Sequence, residues 1–366
     1  MAKEYARNSL LENQILPVDI VLHPAWWFHN AGITFDEDFF YHPVKRVEVE
    51  RKMEGVLWER FGGYGMGEKR GEEQPVVGAV HQAAGFLVSE MLGCKVEYKE
   101  DAAPEVIPAE LEGPEAKAGE PFDSAAWKRF EKLTGALDKK YGYLLGDVNW
   151  SGILNVALDL RGQNLFMDML DSAEKVKTFF TDIAGVMSEF TARIQTLTGT
   201  SSISVNRNVR HFSKDVFLHS ECSHTMISVE DYRNSLMQFD MEWSRTRRPF
   251  GIHYCGSDPH RYAEVFSELP HLDFLDLGWG GDVGLIRKHL PGTFLNIRLS
   301  PVELIEMAPG DISELVVKLI EASGNPWFTG VCCVNMDEKV SDEKIIAILD
   351  TVAQCREKYL KDNNDC

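Results

Sequence analysis

A histidine, a nearby cysteine and a distant pair of cysteines are the residues in this sequence whose types and spacing best suit chemistry. His253 and Cys255 stand two apart at the predicted end of a strand, and Cys332 and Cys333 end the last predicted strand. Side chains two apart on a strand share a face, so the imidazole and the thiol of Cys255 can converge on one point. One histidine and two cysteines are three of the four ligands of a tetrahedral zinc, and a catalytic zinc keeps its fourth position for water or substrate. Strand alternation lets only one residue of the pair point inward; we favour Cys332 as the third ligand, and Cys333 is the alternative.

Two candidate residues, His219 and Glu221, lie at and just after the end of the predicted strand 216–219, in the segment His219-Ser220-Glu221-Cys222-Ser223-His224. Glu221 could be a fourth zinc ligand, an acid–base group or a substrate contact, and the same alternatives apply to His219. A polar loop without a catalytic role is the alternative interpretation of this segment.

Further candidates lie at other predicted strand ends. Asp276 could supply an oxygen ligand or hold the ring of His253, as carboxylates commonly do for metal-bound histidines. Asn296 and Arg298 could hold an anionic group of a substrate. Trp26, in an aromatic cluster near the N-terminus, could form an apolar wall for a substrate.

Eight short apolar segments are predicted strands that would position these residues. From residue 124 onward they alternate with amphipathic helices, which indicates parallel strands covered on both faces. The chain is therefore predicted to be an α/β protein, a (β/α)8 TIM barrel, whose active site would lie where strands end and loops begin. A doubly wound open sheet is the alternative, but no G-x-G-x-x-G follows any strand. The segments are 18–22, 76–80, 143–146, 216–219, 250–253, 274–277, 294–297 and 328–332.

Length and composition suit a single barrel domain over residues 1–366. Residues 1–75 are predicted to be an irregular N-terminal extension. Residues 100–123 contain four prolines and eight acidic residues against one lysine, so we predict a solvated loop or lid there.

Charge and hydropathy exclude several classes of function. The chain has 38 basic and 57 acidic residues, a net charge of −19, which argues against nucleic acid as a partner. No apolar stretch is long enough to span a membrane, and no signal peptide is recognisable, so we predict a cytoplasmic protein. The seven cysteines are an odd number, which favours reduced thiols or metal ligands over a disulfide scaffold.

The chain resembles the uroporphyrinogen decarboxylase superfamily and, within it, the zinc-dependent corrinoid methyltransferases. The resemblance covers most of the chain, and the His-x-Cys-Gly motif with a distal cysteine is its most specific part. It implies a (β/α)8 barrel and zinc held by His253, Cys255 and Cys332. The other matching segments are 92–108, 143–151, 161–171, 226–232, 296–301 and 330–332.

The resemblance implies methyl transfer between a corrinoid on a separate small protein and a small thiol or methylated substrate. The chain itself has no D-x-H-x-x-G cobalamin motif. The alternatives are a decarboxylase of the uroporphyrinogen type and a non-catalytic barrel that binds a corrinoid or another ligand. Decarboxylation of uroporphyrinogen is disfavoured, because the family's N-terminal arginine segment is replaced here by residues 27–32, Trp-Phe-His-Asn-Ala-Gly.

Overall fold

The protein is described here by a computed structural model, which covers residues 14–69, 72–77, 85–115, 120–146, 151–199 and 211–364. The strands are β1 Val18–Leu22, β2 Lys95–Glu97, β3 Glu105–Ile107, β4 Phe217–Glu221, β5 Phe250–Tyr254, β6 Phe274–Asp276, β7 Phe294–Arg298 and β8 Thr329–Met336. The helices are α1 Pro24–Ala31, α2 Glu37–Tyr41, α3 Pro43–Phe61, α4 Phe86–Met91, α5 Ala125–Tyr141, α6 Ile153–Arg161, α7 Asn164–Asp171, α8 Ala173–Thr198, α9 Val229–Asp231, α10 Met237–Thr246, α11 Ala263–Phe266, α12 Val283–His289, α13 Glu303–Glu306, α14 Pro309–Ala322 and α15 Asp342–Asn364.

Six strands form one parallel sheet in the order β1-β8-β7-β6-β5-β4. The first strand pairs with the last, as barrel closure requires, with Val18 opposite Val331. Between β4 and β1, the predicted second and third strands are represented by a single parallel bridge between Val76 and Leu145. Residues 78–80 of the predicted second strand lie outside the described residues. The fold is thus the predicted (β/α)8 type, with six of its eight strands present as described strands.

Alternation along the parallel strands separates an apolar base from a polar upper interior. Leu218 of β4, Phe274 of β6 and Phe294 of β7 belong to one buried apolar cluster with Phe212 and Val216, which we call the apolar floor. Two residues further along β6 and β7, the inward positions are Asp276 and Asn296. The polar interior therefore lies at the carboxyl ends of the strands, where barrels carry their active sites.

The helices cover the outside of the sheet with apolar stripes at helical spacing. The longest helix, α8, buries seven large apolar residues three or four apart, as its sequence predicts. These residues are Val176, Phe179, Phe180, Ile183, Met187, Phe190 and Ile194.

The N-terminal region is more regular than predicted. Apart from the predicted strand 18–22, residues 1–75 were expected to be irregular, but their described part also holds three helices, and α3 is 19 residues long. The helix α3 has a low apolar content but buries Arg46 against Glu50, with a nitrogen–oxygen distance of 2.8 Å. A buried ion pair of this kind is invisible to a search for apolar periodicity.

The acidic segment 100–123 is also partly ordered against the core, contrary to the expectation of a solvated loop. Its strand β3 pairs antiparallel with β2. Beyond β3, the amide of Ala109 donates to the carbonyl of Asp159 at 2.8 Å, and the amide of Leu111 donates to that of Leu160 at 2.9 Å. The acidic side chains project from a backbone that is pinned to α6.

Among the described residues, none of the helices combines the length and the apolar character needed to cross a bilayer.

Candidate metal centre

The register of the parallel sheet gathers the reactive residues in one row. Ser220 of β4 pairs with His253 of β5, which pairs with Asp276 of β6, which pairs with Asn296 of β7. Paired residues in a sheet point to the same face, so these four side chains all project into the barrel. Two residues beyond the pair of Ser220 and His253, the same register places Cys222 level with Cys255.

Cys222, His253 and Cys255 form a compact set of metal-ligand types, which we call the trio. One ligand atom from each of the three lies within 4.8 Å of the other two. His253 is buried, Cys255 is half-buried and Cys222 is exposed, so the trio is open to solvent on the Cys222 side. The structure thus confirms that His253 and Cys255 converge, and it adds Cys222.

Asp276 holds the imidazole of His253. Nδ1 of His253 lies 2.5 Å from Oδ2 of Asp276, and the other oxygen of Asp276 accepts from the side-chain amide of Asn296 at 3.0 Å. Burial lowers the pKa of His253, but the Asp276 carboxylate and Cys255 outweigh burial and raise that pKa to about 9. Because Nδ1 is used, Nε2 is the ring nitrogen left for a metal.

The two thiols of the trio have different pKa values, because one donates a hydrogen bond to the other. The hydrogen bond from the Cys222 thiol, with help from His253 and Arg298, lowers the pKa of Cys255. The same bond to Cys255, together with burial of the Cys222 sulfur within an otherwise exposed residue, raises the pKa of Cys222. Cys255 is therefore the thiolate of the pair, and the thiolate is the form that binds a metal.

Cys332 lies inside the barrel but is not part of the trio. It pairs with Arg298 of β7 and with Asp19 of β1, and its Sγ contacts Oδ1 of Asp276 at 3.6 Å. Cys333 points the other way, into the main hydrophobic core. The inward orientation expected for Cys332 is observed, while its role as a zinc ligand stays a prediction.

Arg298 is a buried cation beside the trio. It is 3% exposed, and its Nε and Nη1 find no hydrogen-bond partner among the described residues. Its guanidinium carbon lies 5.7 Å from the ring centre of Trp279, which is half-buried. A buried guanidinium with free donors can bind an anion, and the substrate-binding role of Arg298 stays a prediction.

His219 and Glu221 lie on the opposite face of β4 from Ser220 and Cys222, toward the helices. The Nδ1 of His219 lies 2.7 Å from Asp240 of α10. Asp240 raises the pKa of His219, although burial opposes it. This ring is therefore anchored in the layer between sheet and helices.

Glu221 caps the N-terminus of α6. Its carboxylate accepts from the amides of Leu154 at 2.8 Å, Asn155 at 3.2 Å and Ser223 at 3.3 Å. Burial raises the pKa of Glu221 to about 7, partly offset by His219 and the backbone donors. The predicted substrate-binding role of His219 and catalytic role of Glu221 stay predictions; the contacts that the structure gives both residues are structural.

Trp26 packs in the core. Its ring is 1% exposed, stacks edge-on against Trp27 with centres 5.1 Å apart, and carries the guanidinium of Arg60 at 4.7 Å. These contacts are those of a buried structural residue, so a substrate wall at Trp26 also stays a prediction.

Cys222 was missed as a ligand because it follows the end of β4 and begins a short 3-10 turn. The signal was present in the spacing: Cys222 is two residues beyond Ser220, as Cys255 is two beyond His253. The pairing of Ser220 with His253 turns these equal spacings into proximity. That pairing is a property of the sheet, and it cannot be deduced from either strand alone.

Comparison with known proteins places the fold. No family model and no curated protein matches the chain. Among solved structures, the chain is similar to a methyltransferase from Methanosarcina mazei, with a TM-score of 0.65 and 12% identity over 94% of both chains. It is also similar to a B12-independent methionine synthase from Shewanella sp. W3-18-1 in complex with selenomethionine, with a TM-score of 0.53 and 9% identity over 96% of this chain and 100% of that one. The chain therefore has the fold of the methyltransferase barrels that its sequence resembles.

Proposed function

We propose that this protein is a zinc-dependent methyltransferase, which moves a methyl group between a corrinoid on a separate small protein and a small thiol or methylated substrate. The observation that carries the proposal is the trio of Cys222, His253 and Cys255 at the carboxyl ends of the strands, in a barrel with the fold of methyltransferases. The non-catalytic alternative gives no reason for two thiols and an imidazole to meet there.

The donor set fits zinc. Thiolate and imidazole are zinc's preferred protein ligands, and a carboxylate partner on the second ring nitrogen is typical of zinc-bound histidine. His253 and Cys255 would hold the ion, with a cysteine as third ligand, for which the resemblance implies Cys332. Zinc supplies Lewis acidity, which lowers the pKa of a bound thiol and so provides a thiolate at neutral pH.

The chain's own residues set the conditions for that chemistry. Asp276 fixes the ring of His253 through Nδ1, and Asn296 fixes Asp276. The apolar floor fills the barrel interior below His253 and Asp276, and so excludes water from the side of the site opposite its mouth. Arg298 would take an anionic group of the substrate, because its free donors lie beside the trio.

The mouth of the barrel is where a partner carrying the corrinoid would dock. Two exposed apolar residues lie in loops that follow strands: Met226 after β4, 53% exposed, and Val302 after β7, 69% exposed. Both loops are on the side of the barrel where Cys222 is exposed. Because the trio depends on reduced thiols, we place the reaction in the cytoplasm.

A second candidate is methyl transfer from a donor without a corrinoid. The methionine synthase among the similar structures is B12-independent by its title, and it shares this fold. The two candidates use the same trio, so they differ in the methyl donor alone.

The proposal is tested by metal analysis and methyl transfer with the full chain. We expect about one zinc per chain, with sulfur neighbours at about 2.3 Å in X-ray absorption. Transfer between free methylcobalamin and a panel of thiols should require that zinc. A protein that binds zinc but does not react with methylcobalamin points to the corrinoid-independent candidate. A protein that takes up no zinc overturns both, and favours a metal-free decarboxylase or a binding protein.

A further inference from the structure

We infer that the small substrate of this barrel is a zwitterion of the α-amino acid type, whose carboxylate is bound by Arg298 and whose ammonium group is bound by Asp19. The inference rests on the methyltransferase of the proposed function and specifies the class of its thiol or methylated substrate. Asp19 supplies the negative charge that such a substrate requires beside the positive charge of Arg298.

The register of the sheet places Asp19 and Arg298 on either side of Cys332. Asp19 of β1 pairs with Cys332 of β8, and Arg298 of β7 pairs with the same cysteine from the other side. Paired residues project to the same face of a sheet. Cys332 faces the barrel interior, where it belongs to a buried cluster with Val21 and Val334. Both charged side chains therefore face the interior at the level of Cys332.

Both charged residues are buried, and both can bind a ligand group of opposite charge. Asp19 is 9% exposed and Arg298 is 3% exposed. Among the described residues, Nε and Nη1 of Arg298 find no hydrogen-bond partner, so the guanidinium can donate to a carboxylate. A carboxylate has two oxygens with about four lone-pair sites, so Asp19 can accept from an ammonium group in addition to its contacts within the protein.

The separation of the two residues fits a small zwitterion. Neighbouring strands lie roughly 4.8 Å apart, so the Cα atoms of Asp19 and Arg298, which are two strands apart, are separated by about 10 Å. The short aspartate and the long arginine side chain fill most of this distance. The remaining gap suits an ammonium and a carboxylate group attached to one carbon atom. The sulfur of such a substrate would then lie near Cys332, which is between the two charges.

The position of the two charges favours a ligand that carries both of its own. The apolar floor lies below this level, and interactions between charges are stronger in such a low-dielectric interior than in water. A ligand with only one charge leaves the other protein group without a counterpart. A zwitterion is complementary to both groups, and electrostatic complementarity of this kind confers specificity.

The test measures the binding of methyl thioethers to the full chain by isothermal titration calorimetry. S-methylcysteine carries both charges, 3-(methylthio)propionate lacks the ammonium group, and 2-(methylthio)ethylamine lacks the carboxylate. Each deletion removes a charge-assisted hydrogen bond, so we expect both single-charge ligands to bind roughly 10- to 100-fold more weakly than the zwitterion. The same comparison is made with methionine and its two single-charge counterparts, which are longer by one methylene group. This measurement depends neither on methyl transfer nor on a corrinoid.

Variants assign the two charges of the ligand to the two residues. Asp19→Asn should abolish the preference for the zwitterion over the propionate, while the propionate binds as before or more tightly. Arg298→Met should abolish the preference for the zwitterion over the amine. The matched control is Asp273→Asn, because Asp273 is also a buried aspartate but binds Arg248 at the opposite end of the barrel. It should leave all preferences unchanged. Circular dichroism confirms that each variant is folded.

The results separate this inference from the proposed function. If neither series favours the zwitterion over both single-charge ligands, the inference is overturned, whether or not zinc-dependent methyl transfer is found. It is also overturned if Asp19→Asn weakens binding of the zwitterion and of the propionate equally, since that is the effect of a purely structural residue. If the preferences and their loss in the variants are found in a protein that takes up no zinc, the zwitterion site stands and the proposed function fails.

Discussion

The Nδ1 atom of His253 and the Oδ2 atom of Asp276 lie 2.5 Å apart, on adjacent strands that pair these two residues directly. This contact selects the tautomer of the ring, because the proton on Nδ1 is shared with the carboxylate. The Nε2 atom is then the nitrogen of His253 on the side of Cys255, with which the ring also forms a hydrogen bond. The pairing of His253 with Asp276 in the sheet thus determines which ring nitrogen of the histidine is available to a ligand.

Replacement of Asp276 by asparagine should weaken zinc binding by about 10- to 100-fold without unfolding the chain, because the ring loses its anionic partner. The measurement is chelator competition on purified protein. Asp273→Asn is the matched control: Asp273 precedes the same strand, where it binds Arg248 at 2.5 Å, at the opposite end of the barrel. Unchanged zinc affinity in Asp276→Asn would show that the pairing has no role in metal binding.

Replacement of Arg298 by methionine should remove the preference for anionic substrates. Rates of methyl transfer are compared for 3-mercaptopropionate, which carries a carboxylate, and for 2-mercaptoethanol, which does not. A charge-assisted hydrogen bond contributes about 1.5–3 kcal/mol, so the preference should fall by roughly 10- to 100-fold. The control is Arg233→Met, which removes an exposed guanidinium paired with Glu268. Equal loss of rate with both thiols would argue against an anion-binding role.

Replacement of Gly152 by alanine should destabilise the fold by about 1–3 kcal/mol through overpacking. An added Cβ would meet Oε2 of Glu221 at 2.4 Å and its Cα at 2.8 Å, and the Cα belongs to the sheet and cannot move aside. Urea unfolding measures the loss. Gly185→Ala, in the middle of α8 with no atom within 4 Å of the added Cβ, should be neutral or stabilising. Unaltered stability in Gly152→Ala would mean that Glu221 leaves its capping position without cost.

Asp159 should make the protein less stable as the pH rises from about 4 to about 6. Burial raises the pKa of Asp159 to about 6, with partial compensation by the Ser89 hydroxyl. Below pH 4 the carboxyl is protonated in both states. Between the two pKa values the unfolded chain ionises first, so stability falls with rising pH, in total by about 3 kcal/mol.

The measurement for Asp159 is urea unfolding of wild type and Asp159→Asn at several pH values. The stability of the variant relative to wild type should increase as the pH is raised from 4 to 7, because the amide has no ionisation to suppress. A flat difference for Asp159→Asn over this range would contradict the raised pKa.

Much of the fold could be predicted from the sequence, because apolar runs bounded by helix caps are local signals. The capping box that Ser228 and Asp231 form at the start of α9 is such a signal. The second and third strands were less predictable: only Val76 and Leu145 pair among the described residues there. The order of residues 109–111 depends on backbone bonds to α6, which no local composition encodes.

In the site, too, local patterns could be predicted from the sequence, and contacts that depend on strand pairing could not. His253 and Cys255 could be predicted because their two-residue spacing fixes their common face. For His219 and Glu221, the same rule predicts that they share a face, but which face turns toward the barrel depends on pairing with β5. Cys222 and Ser220 occupy the face that looks inward. Alternate residues of this segment therefore have different roles. Ser220 and Cys222 face the interior with His253 and Cys255, whereas His219 and Glu221 face the helices.

The pairing of β1 with β8 has a consequence for the order of folding. The two strands are more than three hundred residues apart in the sequence, and the guanidinium of Arg356 in α15 donates to the carbonyls of Ile15 and Leu16. A ribosome releases the N-terminal strand long before its partner exists. During synthesis, β1 therefore stays without its partner strand until β8 has been made. Pairing of β1 with β8 is a contact of high sequence separation, so closure of the barrel is expected to be late and slow. We expect nascent chains that stop before β8 to depend on chaperones. In the finished chain, we expect the N-terminal and C-terminal strands to become ordered together.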